Sequence, residues 1–97
     1  MDSTFYTQQG VLNTRLRVNE RLTTFLTEQN MRLDPGSPTW FDGSMALPTP
    51  GAPWKLSLSS HAKSATVTFT PEELAEFLAG RPSGVPEKLG RALDSLR

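Results

Sequence analysis

Residues 54–80, WKLSLSSHAKSATVTFTPEELAEFLAG, decide the fold of this chain. Apolar and polar side chains alternate over residues 54–59 and again over 65–70, and a polar bend separates the two runs. Because successive side chains of a strand point to opposite faces, this alternation predicts an antiparallel hairpin with one apolar face and one Ser/Thr/Lys face. An isolated hairpin is only marginally stable in water, so its apolar face needs a cover.

Two helices that follow the hairpin are predicted to supply that cover. The first begins with a capping box, in which Thr70 is the N-cap, Pro71 the first helical residue and Glu73 the third. Gly80 ends this helix, and a second helix begins near Pro86. Each helix has one apolar stripe: Leu74, Phe77 and Leu78 on the first, and Leu89, Ala92, Leu93 and Leu96 on the second. We expect these stripes to pack on the sheet.

The N-terminal part of the chain is predicted to form a helix of about 20 residues within 8–30. Its apolar residues recur at three- and four-residue steps, as on one stripe of a helix: Val11, Leu12, Leu16, Val18, Leu22, Phe25 and Leu26. The alternation from Leu12 to Val18 fits a strand equally well. In that case a shorter helix, capped by Asn19, would run to Asn30. Both interpretations agree with the sequence.

Residues 34–53 are rich in proline and glycine and are predicted to form a loop. Within this loop, residues 39–41 are predicted to pair with residues 44–47 across the Asp42-Gly43 turn, as a short hairpin or an edge strand. The segment that follows, up to Pro53, is an extended connector because proline cannot donate to a strand ladder.

Together these elements predict a single α+β domain over residues 1–97. The domain has a small antiparallel sheet of about two to four strands, covered by the two C-terminal helices. The N-terminal helix packs alongside the sheet or forms a dimer contact. A chain of 97 residues is long enough for one hydrophobic core.

The composition and the spacing of polar residues argue against an enzyme. The chain has no cysteine, which excludes disulfides, thiolate zinc sites and cysteine nucleophiles. The single histidine, His61, has no second metal ligand nearby, and Ser44 lacks the glycine-x-serine-x-glycine setting of a hydrolase nucleophile. Glu72 and Glu76 share one helical face, but the helix dipole explains acidic residues near a helix start. We therefore expect no catalytic residues, no metal and no cofactor.

Charge and hydropathy indicate the class of partner. Ten acidic and ten basic residues give a net charge of zero, whereas proteins that grip phosphate backbones are usually basic. Near-neutral charge favours association between proteins. Residues 1–6 have neither the basic start nor the apolar run of a signal peptide, and no window approaches the ~20 apolar residues of a membrane span. We expect a cytoplasmic protein with a host protein or protein complex as its partner and no membrane partner.

The side chains expected to bind this partner form two groups. The first combines aromatic residues with arginines of the predicted N-terminal helix: Tyr6, Trp40, Arg15, Arg17 and Arg21. Aromatic residues carry much of the energy of interfaces, although Trp40 would equally fill a core short of aliphatic residues. The second group is the polar hairpin face with Lys55 and Lys63.

The arginines also support an alternative partner. Arg17 and Arg21 would stand one turn apart on a helix, where they could straddle phosphates. This favours a nucleic-acid-binding or regulatory protein that uses the face of Arg15, Arg17 and Arg21, although Glu20 and Glu28 dilute its positive field. A self-associating structural subunit, such as a homodimer, is the third hypothesis.

Residues 69–84, FTPEELAEFLAGRPSG, and the short leucine-rich helix after them resemble the end of small phage anti-CRISPR proteins. The shared order is a strand, a capped helix, a Pro/Gly/Ser turn and a final helix. None of the contact residues of those proteins has a matching motif in this chain. Those proteins block a type I CRISPR surveillance complex. The resemblance implies a compact inhibitor, encoded by a phage or mobile element, that occludes a host protein surface.

Overall fold

A computed structural model of the chain describes residues 6–43 and 47–97. Within these residues the element order is α1 (Gln8–Glu28), β1 (Thr39–Trp40), a 3-10 turn (Phe41–Gly43), β2 (Trp54–Ser60), β3 (Lys63–Phe69), α2 (Pro71–Leu78) and α3 (Val85–Ser95). The three strands form one antiparallel sheet in the order β1-β2-β3. The expected α+β class, with an N-terminal helix and two C-terminal helices, is confirmed.

The β2–β3 hairpin follows the predicted alternation. Its turn residues His61 and Ala62 both have positive φ, 53° and 64°, and Ser60 pairs with Lys63 across them. This two-residue turn matches the twist of the strands, and it is shorter than the polar bend in the sequence suggests. Most of the inner face of the hairpin is buried, whereas Lys63 near the turn is exposed. The buried residues are Trp54, Leu56, Leu58, Val67 and Phe69. The outer face keeps the Ser, Thr and Lys55 side chains in or near solvent.

Strand β1 pairs with β2 at the edge of the sheet. The two strands are joined through two residue pairs: Thr39 with Ser57, and Trp40 with Leu56. The chain then enters the 3-10 turn at Phe41–Gly43. Phe41 therefore belongs to this turn and not to a strand, and residues 44–46, the expected partners of residues 39–41 across Asp42-Gly43, lie outside the described residues.

Helix α1 is continuous from Gln8 to Glu28, so the alternative of a strand before Asn19 is wrong. Thr7 caps this helix, because its hydroxyl accepts the N–H of Gly10 at 3.1 Å. The face of α1 that enters the core is Val11, Thr14, Val18 and Leu22. The inward position of Thr14 is possible because its hydroxyl donates to the Gly10 carbonyl at 2.8 Å, which satisfies a buried polar group.

Of the two C-terminal helices predicted to cover the sheet, α3 makes the main contact with it. Helix α3 lies directly against β3, and α2 contacts both α1 and α3. From α2, Leu74 is fully buried, whereas Phe77 and Leu78 are only partly buried. The core residues of α3 and its C-cap are Val85, Leu89, Ala92, Leu93 and Leu96. The predicted stripe of α2 is therefore correct in direction, but only Leu74 reaches the centre of the core.

An aromatic cluster fills the core beneath β1. Trp40 is 3% exposed, and its ring packs edge-on against Trp54 with centroids 6.2 Å apart. The ring of Phe69 lies 6.1 Å from that of Trp40. The indole N–H of Trp40 donates to the side-chain oxygen of Asn19 at 3.1 Å. This hydrogen bond joins α1 to the edge of the sheet.

Glu73 links the cap of α2 to α3. The hydroxyl of Thr70 accepts the N–H of Glu73, and the Glu73 carboxylate accepts the N–H of Thr70, both at 3.1 Å. The same carboxylate accepts from the Lys88 ammonium at 2.7 Å. It also lies close to Gly84, where an added Cβ would come within 2.6 Å of its Oε2. Burial acts to raise the pKa of Glu73, but the hydrogen bonds and charge of Lys88 and the contacts with Thr70 outweigh burial and hold this pKa below its ordinary value.

Acid is expected to weaken the domain through Glu73. Because the folded-state pKa is lower than the unfolded-state value, the stabilisation is complete above the ordinary value of 4.5 and is lost as pH falls through the lower folded value. Urea unfolding of the wild type and of Glu73→Gln, from about pH 6 to pH 2, measures this loss. The difference between the two midpoints should shrink as pH falls. A difference that stays constant across the range would show that the ionised carboxylate does not stabilise the fold.

Candidate functional site

Two leucines of α1 are exposed on the surface of the domain. Leu12 is 47% exposed and Leu16 is 51% exposed, and they lie one helical turn apart. In the part of the chain that the structure describes, the other exposed large apolar residue is Leu47, at 46%. Adjacent apolar side chains on the surface of a small domain are typical of a protein-binding site.

The exposed leucines continue into an open groove beside the second half of α1. The groove lies between α1 and residues 30–38 and has a volume of about 630 Å³. Its apolar lining is Leu22, Leu26, Met31, Leu33 and Pro38. Leu12, Leu16, Asn19, Thr23 and Leu26 follow one another at three- and four-residue steps. They therefore share one side of the helix, and we name Leu12, Leu16 and this groove the α1 surface.

The three arginines proposed for partner binding do not form one cluster. A helix turns by about 100° per residue, so Arg15 points about 200° away from Arg17. Arg15 is half-buried and stands one turn from Leu12, at the border of the α1 surface. Arg17 and Arg21 are exposed on the other flank, and the Arg21 guanidinium lies 4.7 Å from the ring centroid of Phe25. Within residues 6–43 and 47–97, none of these arginines forms an ion pair.

The two aromatic residues proposed for partner binding hold the fold together. Trp40 lies in the core, so its indole ring is not available to a partner, and the interpretation as a core residue is the correct one. Tyr6 is half-buried and packs against the core, and its hydroxyl accepts the N–H of Gly51 at 3.1 Å. Tyr6 thereby connects the start of α1 to the loop that precedes β2.

The two lysines proposed for the polar hairpin face lie on opposite faces of the hairpin. Lys55 is opposite Thr68 and is exposed on the outer face. Lys63 is opposite Ser60, which is buried, so Lys63 belongs to the inner side of the alternation. Its ammonium donates to the backbone carbonyl of Arg97 beyond the end of α3. The hairpin therefore does not bring the two cations together.

The sequence pattern predicts Leu12 and Leu16 on the same stripe as Val11, Val18 and Leu22, but the structure leaves both leucines exposed. The spacing of the apolar residues of α1 does contain a signal for this exposure. The apolar positions of α1, from Phe25 around to Leu16, span about 180° of the helix, which is wider than a single core-facing stripe. One edge of so wide an arc has to remain at the surface when the other edge enters the core.

The residues considered for chemistry that the structure describes lie on two different elements. His61 occupies the exposed hairpin turn, and Glu72 and Glu76 are exposed on α2. Across the two described ranges, no group of three or more His, Cys, Asp or Glu side chains is placed to hold a metal ion. In the same ranges, no helix has the length and apolar character needed to cross a bilayer.

Comparison of the chain with protein-family models, with curated proteins and with solved structures found no match.

Proposed function

We propose that the chain is a non-enzymatic protein-binding domain and that its partner docks on the α1 surface. The observation that carries this proposal is the half-exposure of Leu12 and Leu16 on one side of a 21-residue helix. Full burial of a leucine contributes about 1.5–3 kcal/mol, so covering the exposed halves of both contributes about the same amount in total. The adjoining groove offers space for a further apolar side chain of the partner.

Helix α1 is held at both ends, which favours docking. Thr7 caps its N-terminus, and the side-chain oxygen of Gln29, next to its C-terminus, accepts from the guanidinium of Arg97. The bond between Asn19 and Trp40 fixes its middle. A preorganised surface loses little conformational entropy when it binds, so more of the apolar burial is available as affinity.

The partner class that we propose is a host protein. The likeness of residues 69–84 to phage anti-CRISPR proteins supports an inhibitor, and a small domain inhibits most simply by covering a surface that another molecule needs. Occlusion of this kind requires complementary area and no reactive group. The exposed leucines, which a monomer does not use, fit that requirement.

Nucleic acid is the alternative partner. Arg17 and Arg21 support it, because they are exposed one turn apart. Against it stand the separate position of Arg15 and the net charge of zero. The partner surface would in that case be the flank of α1 that carries Arg17 and Arg21, so the two functions predict different sensitive residues.

Affinity capture with three forms of the domain tests the proposal: wild type, Leu12→Glu/Leu16→Glu and Arg17→Glu/Arg21→Glu. Each form is immobilised and incubated with host-cell extract, with and without nuclease. We expect one protein to bind the wild type and the arginine variant after nuclease treatment. The leucine variant should lose this protein, with affinity for the purified partner reduced at least about tenfold, because its carboxylates would be desolvated against an apolar surface.

Thermal unfolding of both variants provides the control. All four substituted positions are exposed, so both variants should fold like the wild type. The proposal is contradicted if nuclease removes the captured material and only the arginine variant loses it, since that result identifies a nucleic-acid binder. Capture of nothing but further copies of the chain would identify a self-associating subunit instead.

A further inference from the structure

Strand β3 forms an edge of the sheet and has no neighbour on its outer side among the described residues. The side of β2 that faces β1 shows how its backbone groups alternate. Ser59, which is opposite Ser64, gives its N–H to the Ser37 hydroxyl and accepts the N–H of Asp34. The backbone groups of Ser59 therefore point away from β3.

The same alternation applies to β3. In an antiparallel ladder, residues whose groups do not pair with the neighbouring strand direct both N–H and C=O to the other side. Ser64, Thr66 and Thr68 are such residues, so their backbone groups face the open edge. Among these groups, the carbonyl of Thr68 already has a partner, because it accepts a hydrogen bond from the Lys88 ammonium at 2.8 Å. The stretch from Ser64 to Thr68 contains neither charge nor proline, the usual protections of an edge strand.

A groove lined by two cationic side chains runs along this edge between β3 and α3. It has a volume of about 290 Å³. Its apolar floor is formed by Ala65, Val67 and Ala92, and its charged lining residues are Lys88 and Arg91. Among the described residues, none that lines the groove carries a carboxylate. The groove therefore combines three features: backbone groups of β3 that face the open edge, a shallow apolar floor and two cationic side chains.

Both cationic side chains, Arg91 and Lys88, remain accessible to a ligand. Arg91 is paired with Glu87 one turn away on the same helix, and both side chains are largely exposed, at 76% and 65%. Such exposed pairs contribute little and exchange readily for a better partner. Lys88 binds Glu73 and the Thr68 carbonyl, but its side chain is still 37% exposed. An acidic group in the groove would thus pair most readily with Arg91, the more exposed of the two, with Lys88 close by.

We infer that the open edge of β3 binds an extended acidic segment of a partner protein as a fourth strand. Alternate side chains of an added strand point to the same face, about 6.6–6.8 Å apart. Acidic side chains at two such positions would therefore face Lys88 and Arg91, and a small apolar side chain at the next would cover Ala65 and Ala92. Backbone hydrogen bonds to Ser64, to Thr66 and to the N–H of Thr68 would supply affinity that does not depend on the side chains of the added strand.

Charge favours this ligand over a second copy of the chain. A twofold axis through the β3 edge would bring the α3 helices together, with the Lys88 and Arg91 side chains of both copies in one groove. Like charges at such a contact disfavour it. The edge is also separate from the α1 surface, since α1 contacts the sheet through Asn19 and Trp40 at the opposite edge. The inference therefore stands independently of the proposed docking on α1.

A synthetic peptide tests the inference. The probe is a capped peptide of about seven residues, in which glutamate at two alternate positions and valine at the next are separated by threonine. Its control has glutamine in place of glutamate. Titration followed by amide NMR should shift the amide signals of Ser64, Thr66 and Thr68 most and slow their hydrogen exchange. The glutamine peptide should bind at least about fivefold more weakly.

Substitutions in the chain identify the groups involved. Arg91→Glu should weaken binding at least about fivefold, whereas Arg81→Glu, at an exposed position outside the groove, should not. Thr66→Pro removes an N–H that faces the open edge and should abolish binding, whereas Thr66→Val keeps that N–H and should not. If Thr66→Pro does not fold, the Arg91 and Arg81 variants decide the question.

Three results would overturn the inference. The first is the absence of any change at the edge amides with millimolar peptide. The second is equal affinity for the glutamate and glutamine peptides, or for wild type and Arg91→Glu. The third is a dimer in sedimentation that Thr66→Pro converts to a monomer, because the edge would then be occupied by a second copy.

Discussion

Replacement of Phe69 by alanine is expected to lower the free energy of unfolding by about 3–5 kcal/mol, a large part of the stability of a small domain. Phe69 is completely buried, and its ring lies 6.1 Å from that of Trp40. It is the last residue of β3, next to the cap of α2, and the Lys88 ammonium lies 5.9 Å from its ring. A cavity at this position would loosen the contacts among β1, β3 and α3.

Urea unfolding monitored by tryptophan fluorescence measures the effect, because Trp40 and Trp54 are both in the affected core. Phe77→Ala is the matched control. Phe77 is only partly buried at the margin of the core, so the same truncation should cost less than half as much. Equal losses in the two variants, or an unchanged midpoint for Phe69→Ala, would mean that the core is not centred on the inner face of the sheet.

The chain from residue 54 onward is predictable from its sequence because the local signals agree with the packing. Alternation in the hairpin coincides with the division between core and solvent. The capping box at Thr70 is formed as the sequence indicates, and Gly80 adopts the positive φ of 76° that suits a residue after a helix. Where propensity, periodicity and capping all favour one structure, no tertiary information is needed.

The candidate site is harder to predict because it depends on which side of each element is covered. The sequence places Arg15 and Arg17 two residues apart, but the helix turns them to different flanks. Lys63 and Ser64 are neighbours, yet alternation directs them to opposite faces of the hairpin. Trp40 enters the core because β1 pairs with β2, a long-range contact that no local pattern in the proline-rich loop reveals.

The leucines of α1 also show that the sequence does not reveal which side of a helix is covered. Leu22→Glu tests this point and is the second substitution with a large expected effect. In sequence, Leu16 and Leu22 are equivalent members of one predicted stripe. In the structure, Leu22 is 1% exposed within the core, whereas Leu16 is 51% exposed. A carboxylate at position 22 would lose its hydration among apolar side chains, so the free energy of unfolding should fall by several kcal/mol, on the order of 3–5. Circular dichroism and urea unfolding should show a largely unfolded variant at neutral pH.

Leu16→Glu is the control, and its result bears on function as well as on folding. The variant should stay folded, with the free energy of unfolding changed by less than about 1 kcal/mol, because a half-exposed carboxylate keeps most of its hydration. If Leu16→Glu unfolds the domain as Leu22→Glu does, Leu16 is covered in solution and cannot receive a partner. If Leu22→Glu is tolerated, α1 does not pack through the face of Val11, Val18 and Leu22. Only the combination of a tolerated change at Leu16 and a disruptive one at Leu22 leaves the α1 surface both correctly placed and open to a partner.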